Sequence, residues 1–173
     1  MTGRPSRLFL AMALTVVLTG GCGSNDERLT VFAASSLADV LPDLADAHRQ
    51  AGGPDVVEVL GGSNHLAAQL GDGAPADAFI TADAALLVGL TIVGPPIPVA
   101  DNHMVVAIPT GNPGGVTSPD DLRRGDLRLA VCAAGVPCGD ATAARFGYLP
   151  ADTEEPSVRA VLSRLVLGEA DLG

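Results

Sequence analysis

The sequence predicts an α/β fold built on mainly parallel sheets. Three observations carry that expectation. Short β-branched or apolar runs alternate with stretches of helical period. Small or hydroxyl residues recur where such a run gives way to a helix. Trp is absent, and one Tyr and four Phe in 173 residues leave a core of Ala, Val and Leu.

Taken in order, "LTVFAA" (29–34) reads as a first strand, ending at Ser35 and Ser36. A helix is expected from Leu37 to Gln50, with Pro42 in its second turn, where a missing N–H favours a kink. "DVVEVL" (55–60) is a second strand, and "GGSNHLAAQLGDG" a glycine turn entering a helix. "DAFITA" (77–82) is a third strand followed by the short helix "DAALLVGL", with Asp77 and Asp83 as turn and cap residues. "HMVVAIP" (103–109) and "LRLAVC" (127–132) are further strands. Between them "SPDDLRRG" is a capped helical turn, Ser118 as N-cap and Pro119 at the first helical position. "GDATAARFG" and "SVRAVLSRLVLGEA" are the last helices, and Arg159 is expected to pack or pair on the surface. The Pro-rich "IVGPPIPVADN" (92–102) is a loop near a lobe boundary.

The N-terminus has a different character. Arg4 and Arg7 precede an uncharged run from Leu8 to Leu18, and Gly20 and Gly21 lead into Cys22. Residues 1–21 are therefore expected to be a secretory signal peptide, too short to remain as a spanning helix. Cys22 is the expected lipidation site of an exported lipoprotein, although Thr19 replaces the usual aliphatic residue, and 22–28 is a polar tether. Export leaves Cys132 and Cys138 as an even pair, most simply a disulfide. Zinc is the rival, but five intervening residues exceed the usual spacing and no second pair follows. Removing residues 1–21 takes out two arginines and no acids, so the net charge moves from −10 to −12. Such a chain lacks the basic patch that nucleic acid requires. His48, His65 and His103 have no metal-ligand spacing, so no metal is expected.

Four strand-to-helix junctions are candidate sites: Ser35–Ser36, Ser63 in "GGSN", Cys138 in "VPCG", and Ser157–Val158 in "EPSV". Each alone has a plainer reading, since Ser36 or Ser63 as an N-cap would contribute about 1 kcal/mol without any ligand. Together they form a pattern, because helix N-termini in α/β sheets gather at the carboxyl ends of strands. Four facing one cleft would give an uncharged cage of N–H and O–H donors for an anion, which an acidic protein can still bind through dipoles. A rival enzyme reading takes Ser63 as a nucleophile on a strand–turn–helix elbow, with Asp101 and His103 as partners, a serine hydrolase. His65 stands where that motif needs a small residue, and no separate oxyanion motif is seen.

The blocks "LTVFAASSLADVLPDLA", "GGSNHLAAQL", "GAPADAFITAD", "RLAVCAAGVPCG" and "SVRAVLSRLVLGEADLG" resemble, in order and spacing, the substrate-binding proteins of bacterial molybdate ABC transporters. The similarity covers most of residues 29–173, and the cysteine-containing version looks like the actinobacterial branch. The resemblance implies a periplasmic-binding-protein type II-like α/β fold of two lobes, 29–82 and 83–173. It implies a monomer that binds molybdate or tungstate outside the cytoplasmic membrane, without catalysis, and delivers it to a membrane permease. The implied ligand contacts are the hydroxyl of Ser36 with Ser35 beside it, the hydroxyl of Ser63, and the backbone N–H groups of Cys138 and Val158. Donors alone suit a bare tetrahedral dianion, whereas phosphate would need an acceptor for its proton. Sulfate differs mainly in size. The family's fifth contact, a tyrosine in a following strand, falls beyond Gly173, and Tyr148 is not at that position. The chain thus reads as truncated, the first lobe lacking its return segment, and a weakly binding or non-binding remnant is the alternative to a working binding protein.

Overall fold

The computed structural model describes residues 28–173. The expected signal peptide, Cys22 and nearly all of the tether lie outside the described residues. Arg28, expected in the tether, instead opens strand β1 (Arg28–Ala34). β1 pairs in parallel with β2 (Asp55–Gly61) over all seven residues, from Arg28 opposite Asp55 to Ala34 opposite Gly61. On its other edge it pairs in parallel with β3 (Ala78–Ile80), giving the order β2-β1-β3. The central strand is covered on both faces, which is why Val31 to Ala34 form an unbroken buried run. Val31, Ala33 and Leu41 make a small aliphatic core with Leu29, Leu37, Val56 and Ile80 around it. Asp77 ties the entry of β3 to β1: its carboxylate accepts the Thr30 N–H at 2.8 Å, and its own N–H donates to the Thr30 carbonyl at 2.9 Å. Asp83 caps the 3-10 turn Ala84–Leu87 by accepting the Ala85 N–H at 2.8 Å, and that turn packs on helix α2 (Ser63–Gly71).

A second parallel sheet pairs β4 (Ala130–Cys132) with β5 (Thr153–Glu155). Beyond β4, Leu172 bridges in parallel to Leu129, and Gly173 exchanges two backbone bonds with Ala107 at 2.8 and 3.0 Å. Helices α3 (Pro137–Phe146) and α4 (Val158–Val166) flank this sheet. One cluster joins Ala130, Cys132, Val136, Val161, Leu165 and Ala170; another joins Leu122, Leu129, Leu149 and Leu172. The terminal segment is held by charge as well. The Arg128 guanidinium reaches the Asp171 carboxylate at 2.7 and 3.1 Å and the Arg128 N–H adds a third bond at 2.9 Å, which lowers the Asp171 carboxyl to about 2.

Three expectations need correction. The helix expected from Leu37 is a 3-10 turn, Ser35–Leu37, followed by helix α1 (Leu41–Gln50). Pro42 therefore lies in the first turn, where its missing N–H breaks nothing and no kink arises. Residues 103–109 are not a regular strand: Ala107 alone pairs, with Gly173, and Val105 remains exposed. Strand β5 went unforeseen because "TEE" carries no apolar run. Its register comes from backbone pairing with β4, and its buried Glu155 is balanced by Arg164 Nε at 2.7 Å. The turn at 118–123 forms as expected, Ser118 and Asp121 completing a capping box ahead of Pro119–Arg123.

Candidate functional site

The carboxyl ends of β1, β2 and β4 open onto one cavity of about 470 Å³. Ser35, Ser36, Ser63, Cys138 and Val158, the five residues singled out from the sequence, all line it. The first sheet supplies the three serines and the second sheet supplies Cys138 and Val158.

The plain capping role fails for the serines. No side chain caps the Ser35–Leu37 turn or α2, whose N-cap is Gly62, so Ser63 is already the first helical residue. Ser63 is buried, and its Oγ accepts the Ala82 N–H at 3.1 Å. That bond occupies a lone pair and leaves the hydroxyl proton free to donate into the cavity. Ser35 is buried and Ser36 exposed at the cavity wall; neither hydroxyl makes a hydrogen bond among the described residues. The N–H groups of Cys138 and Val158 belong to the first turns of α3 and α4, where a helix has no acceptor of its own. At α4 the cap is Ser157, whose Oγ accepts the Ala160 N–H at 3.2 Å, leaving the Val158 amide free.

Two features shape the second wall. Cys132 and Cys138 are disulfide-bonded with Cα atoms 5.7 Å apart, tying the start of α3 to the end of β4. Gly139 follows in close contact with the same strand end, and a Cβ there would lie 2.0 Å from the Ala133 carbonyl oxygen. The two walls also touch. A Cβ on Gly62 would sit 2.5 Å from the Pro156 carbonyl oxygen, so the β2–α2 junction rests directly on the β5–α4 junction.

The charges on the cavity wall are Asp39 and Arg159, with His103 nearby. Arg159 donates to both Asp39 carboxylate oxygens at 2.6 and 2.5 Å, which holds the Asp39 carboxyl below its usual range. Arg159 thus pairs, as its sequence position suggested, but with a residue 120 positions away. Nothing in the local sequence marks Asp39 as its partner.

The structure does not assemble the hydrolase alternative. Ser63 Oγ is engaged by the Ala82 N–H, and among the described residues neither Asp101 nor His103 hydrogen-bonds to it. Among the described residues there is also no group of three His, Cys, Asp or Glu side chains able to hold a metal ion. A larger space, about 770 Å³, runs beside β3 and the Pro-rich loop, but its lining is chiefly small and apolar and contains none of the five candidate residues.

Comparison with known proteins bears on what the cavity takes. The family profile described as bacterial extracellular solute-binding protein matches residues 29–173. The molybdate-binding protein ModA of Mycobacterium tuberculosis is 35% identical over 186 aligned positions, covering 95% of this chain and 71% of that protein. ModA of Escherichia coli is 41% identical over 76 residues, 44% of this chain and 30% of that protein. In fold, the chain is similar to the periplasmic molybdate-binding protein of Azotobacter vinelandii, with a TM-score of 0.56, 24% identity, and coverage of 84% of this chain and 69% of that one.

Proposed function

Starting from the premise that this chain belongs to the bacterial extracellular solute-binding protein family, we propose that it captures molybdate outside the cytoplasmic membrane and delivers it to an ABC permease. The relatives named for molybdate binding support the ligand. One observation carries the reading: hydroxyls from the first sheet and free helix amides from the second line the same cavity.

Such a site suits the ligand chemically. A tetrahedral oxyanion without a proton needs donors only, and preorganised N–H and O–H groups in a closing cleft replace its water shell. The one carboxylate on the wall, Asp39, is held by Arg159, so it offers a protonated oxyanion no free acceptor. Tungstate, equal in charge and shape, binds equally well in this reading, and sulfate is distinguished by size. No chemical step follows binding. The protein works as an exported monomer, freed of residues 1–21 and anchored through lipid on Cys22.

Titration calorimetry tests the assignment. Molybdate and tungstate are expected to give saturable heats, sulfate weaker ones and phosphate none. Phosphate binding as strong as molybdate binding would overturn the donor-only site. Substituting Cys22 by Ala is expected to release the protein from the membrane fraction.

A further inference from the structure

Among the described residues, Asp39 with Arg159 is the single ion pair that joins the first-sheet side to the second-sheet side. Asp39 lies three residues after Ser36, and Arg159 directly follows Val158, so the pair stands at the rim of the cavity between a donor of each wall. The two terminal guanidinium nitrogens donate one to each carboxylate oxygen, at 2.6 and 2.5 Å. This two-pronged geometry fixes orientation as well as distance, which a single contact would not. Beside it, the Gly62–Pro156 approach leaves no room for a shift of either wall toward the other.

We propose that Asp39 and Arg159 form a latch that holds the two lobes closed and slows release of the bound oxyanion. The inference rests on the binding function proposed above for the cavity. Neither side chain is assigned as a ligand donor; both are positioning residues that act by keeping the walls together. Side-chain exposures of 75% for Asp39 and 46% for Arg159 make the latch modest and salt-sensitive. It therefore tunes the balance between open and closed states rather than locking it.

A latch and a simple charge effect make opposite forecasts. If Asp39 acted only by repelling an anion, Asp39→Asn would tighten binding while Arg159→Met weakened it. A latch requires both substitutions to act in the same direction. The expected result is a roughly two- to fivefold faster molybdate release in each variant, recovery in the charge-swapped double variant Asp39→Arg/Arg159→Asp, and the same acceleration of the unaltered protein in strong salt. Small-angle scattering and amide exchange at residues 35–39 and 157–159, both without ligand, supply the second readout. Each single variant is expected to increase the radius of gyration and speed exchange at both segments, while the swapped pair restores them. Because this readout needs no ligand, it separates failure of the latch from failure of the molybdate assignment. Opposite signs for the two single variants, or unchanged scattering and exchange in both, would overturn the latch.

Discussion

The first-sheet wall of the cavity presents side-chain hydroxyls on a parallel strand pair seven residues long. The second-sheet wall presents backbone amides at the ends of helices that follow strands of three residues. Their bracing differs accordingly. The hydroxyl side has one small aliphatic cluster, whereas the amide side has two clusters, a disulfide, the Gly139 contact and the Arg128–Asp171 tie. A serine can swing its hydroxyl about χ1 to find an oxygen. A backbone N–H points wherever its helix points, so it is only as well placed as the segment that carries it. The denser bracing lies on the wall whose proposed donors cannot adjust.

The harshest test of this division is to force the walls apart. Gly62 has φ −62° and ψ 130°, which alanine adopts freely, so Gly62→Ala adds a clash with the Pro156 carbonyl and a tight 3.0 Å approach to Asn64 Oδ1 without backbone strain. The overpacking is expected to cost roughly 3 kcal/mol, divided between oxyanion affinity and thermal stability. Calorimetry and a melting curve on the same variant check both halves.

The next test compares donor types. Ser63→Ala removes a hydroxyl that also accepts the Ala82 N–H, and affinity should weaken by about 2 kcal/mol. Val158→Pro deletes one amide donor at the first position of α4, where proline fits a helix, and the extended Ser157 before it suits a pre-proline residue. About 1 kcal/mol of affinity should go, and circular dichroism should show α4 retained. Equal losses, or none for Val158→Pro, would erase the proposed split between hydroxyl and amide walls.

Reduction probes the bracing itself. Opening the Cys132–Cys138 loop should lower stability by about 2 kcal/mol in the chain-entropy account. Amide exchange should accelerate at 133–140 and stay unchanged in β1 and β2. Acid gives the smallest effect, nil at neutral pH. Asp171 is depressed to about 2 in the folded state, so its contribution is complete above pH 4 and fades as the pH falls toward 2. With a carboxylate side chain one-fifth exposed, about 1 kcal/mol is expected, read as acid loosening of 171–173.

The same contrast explains how much was legible in the sequence. "LTVFAA" announces β1 because a strand buried between neighbours is apolar throughout, and "DVVEVL" announces the edge strand β2 through its β-branched valines. Ser36, Ser63, Cys138 and Val158 could be picked out because the chemistry of strand-to-helix junctions is local, and their meeting at one cavity follows from parallel topology. β5 and the contact between Asp39 and Arg159 were hidden for the opposite reason. Each depends on a partner distant in sequence, "TEE" on the β4 backbone and Asp39 on a guanidinium 120 residues away. Pro42 misled because the chain inserts a 3-10 turn before α1, a step that apolar spacing does not encode.

Cys138 belongs at once to a sulfur bridge and to the cavity wall. A copy with both thiols reduced would carry a less firmly held second wall. An oxidising space outside the cytoplasm is where that brace would close.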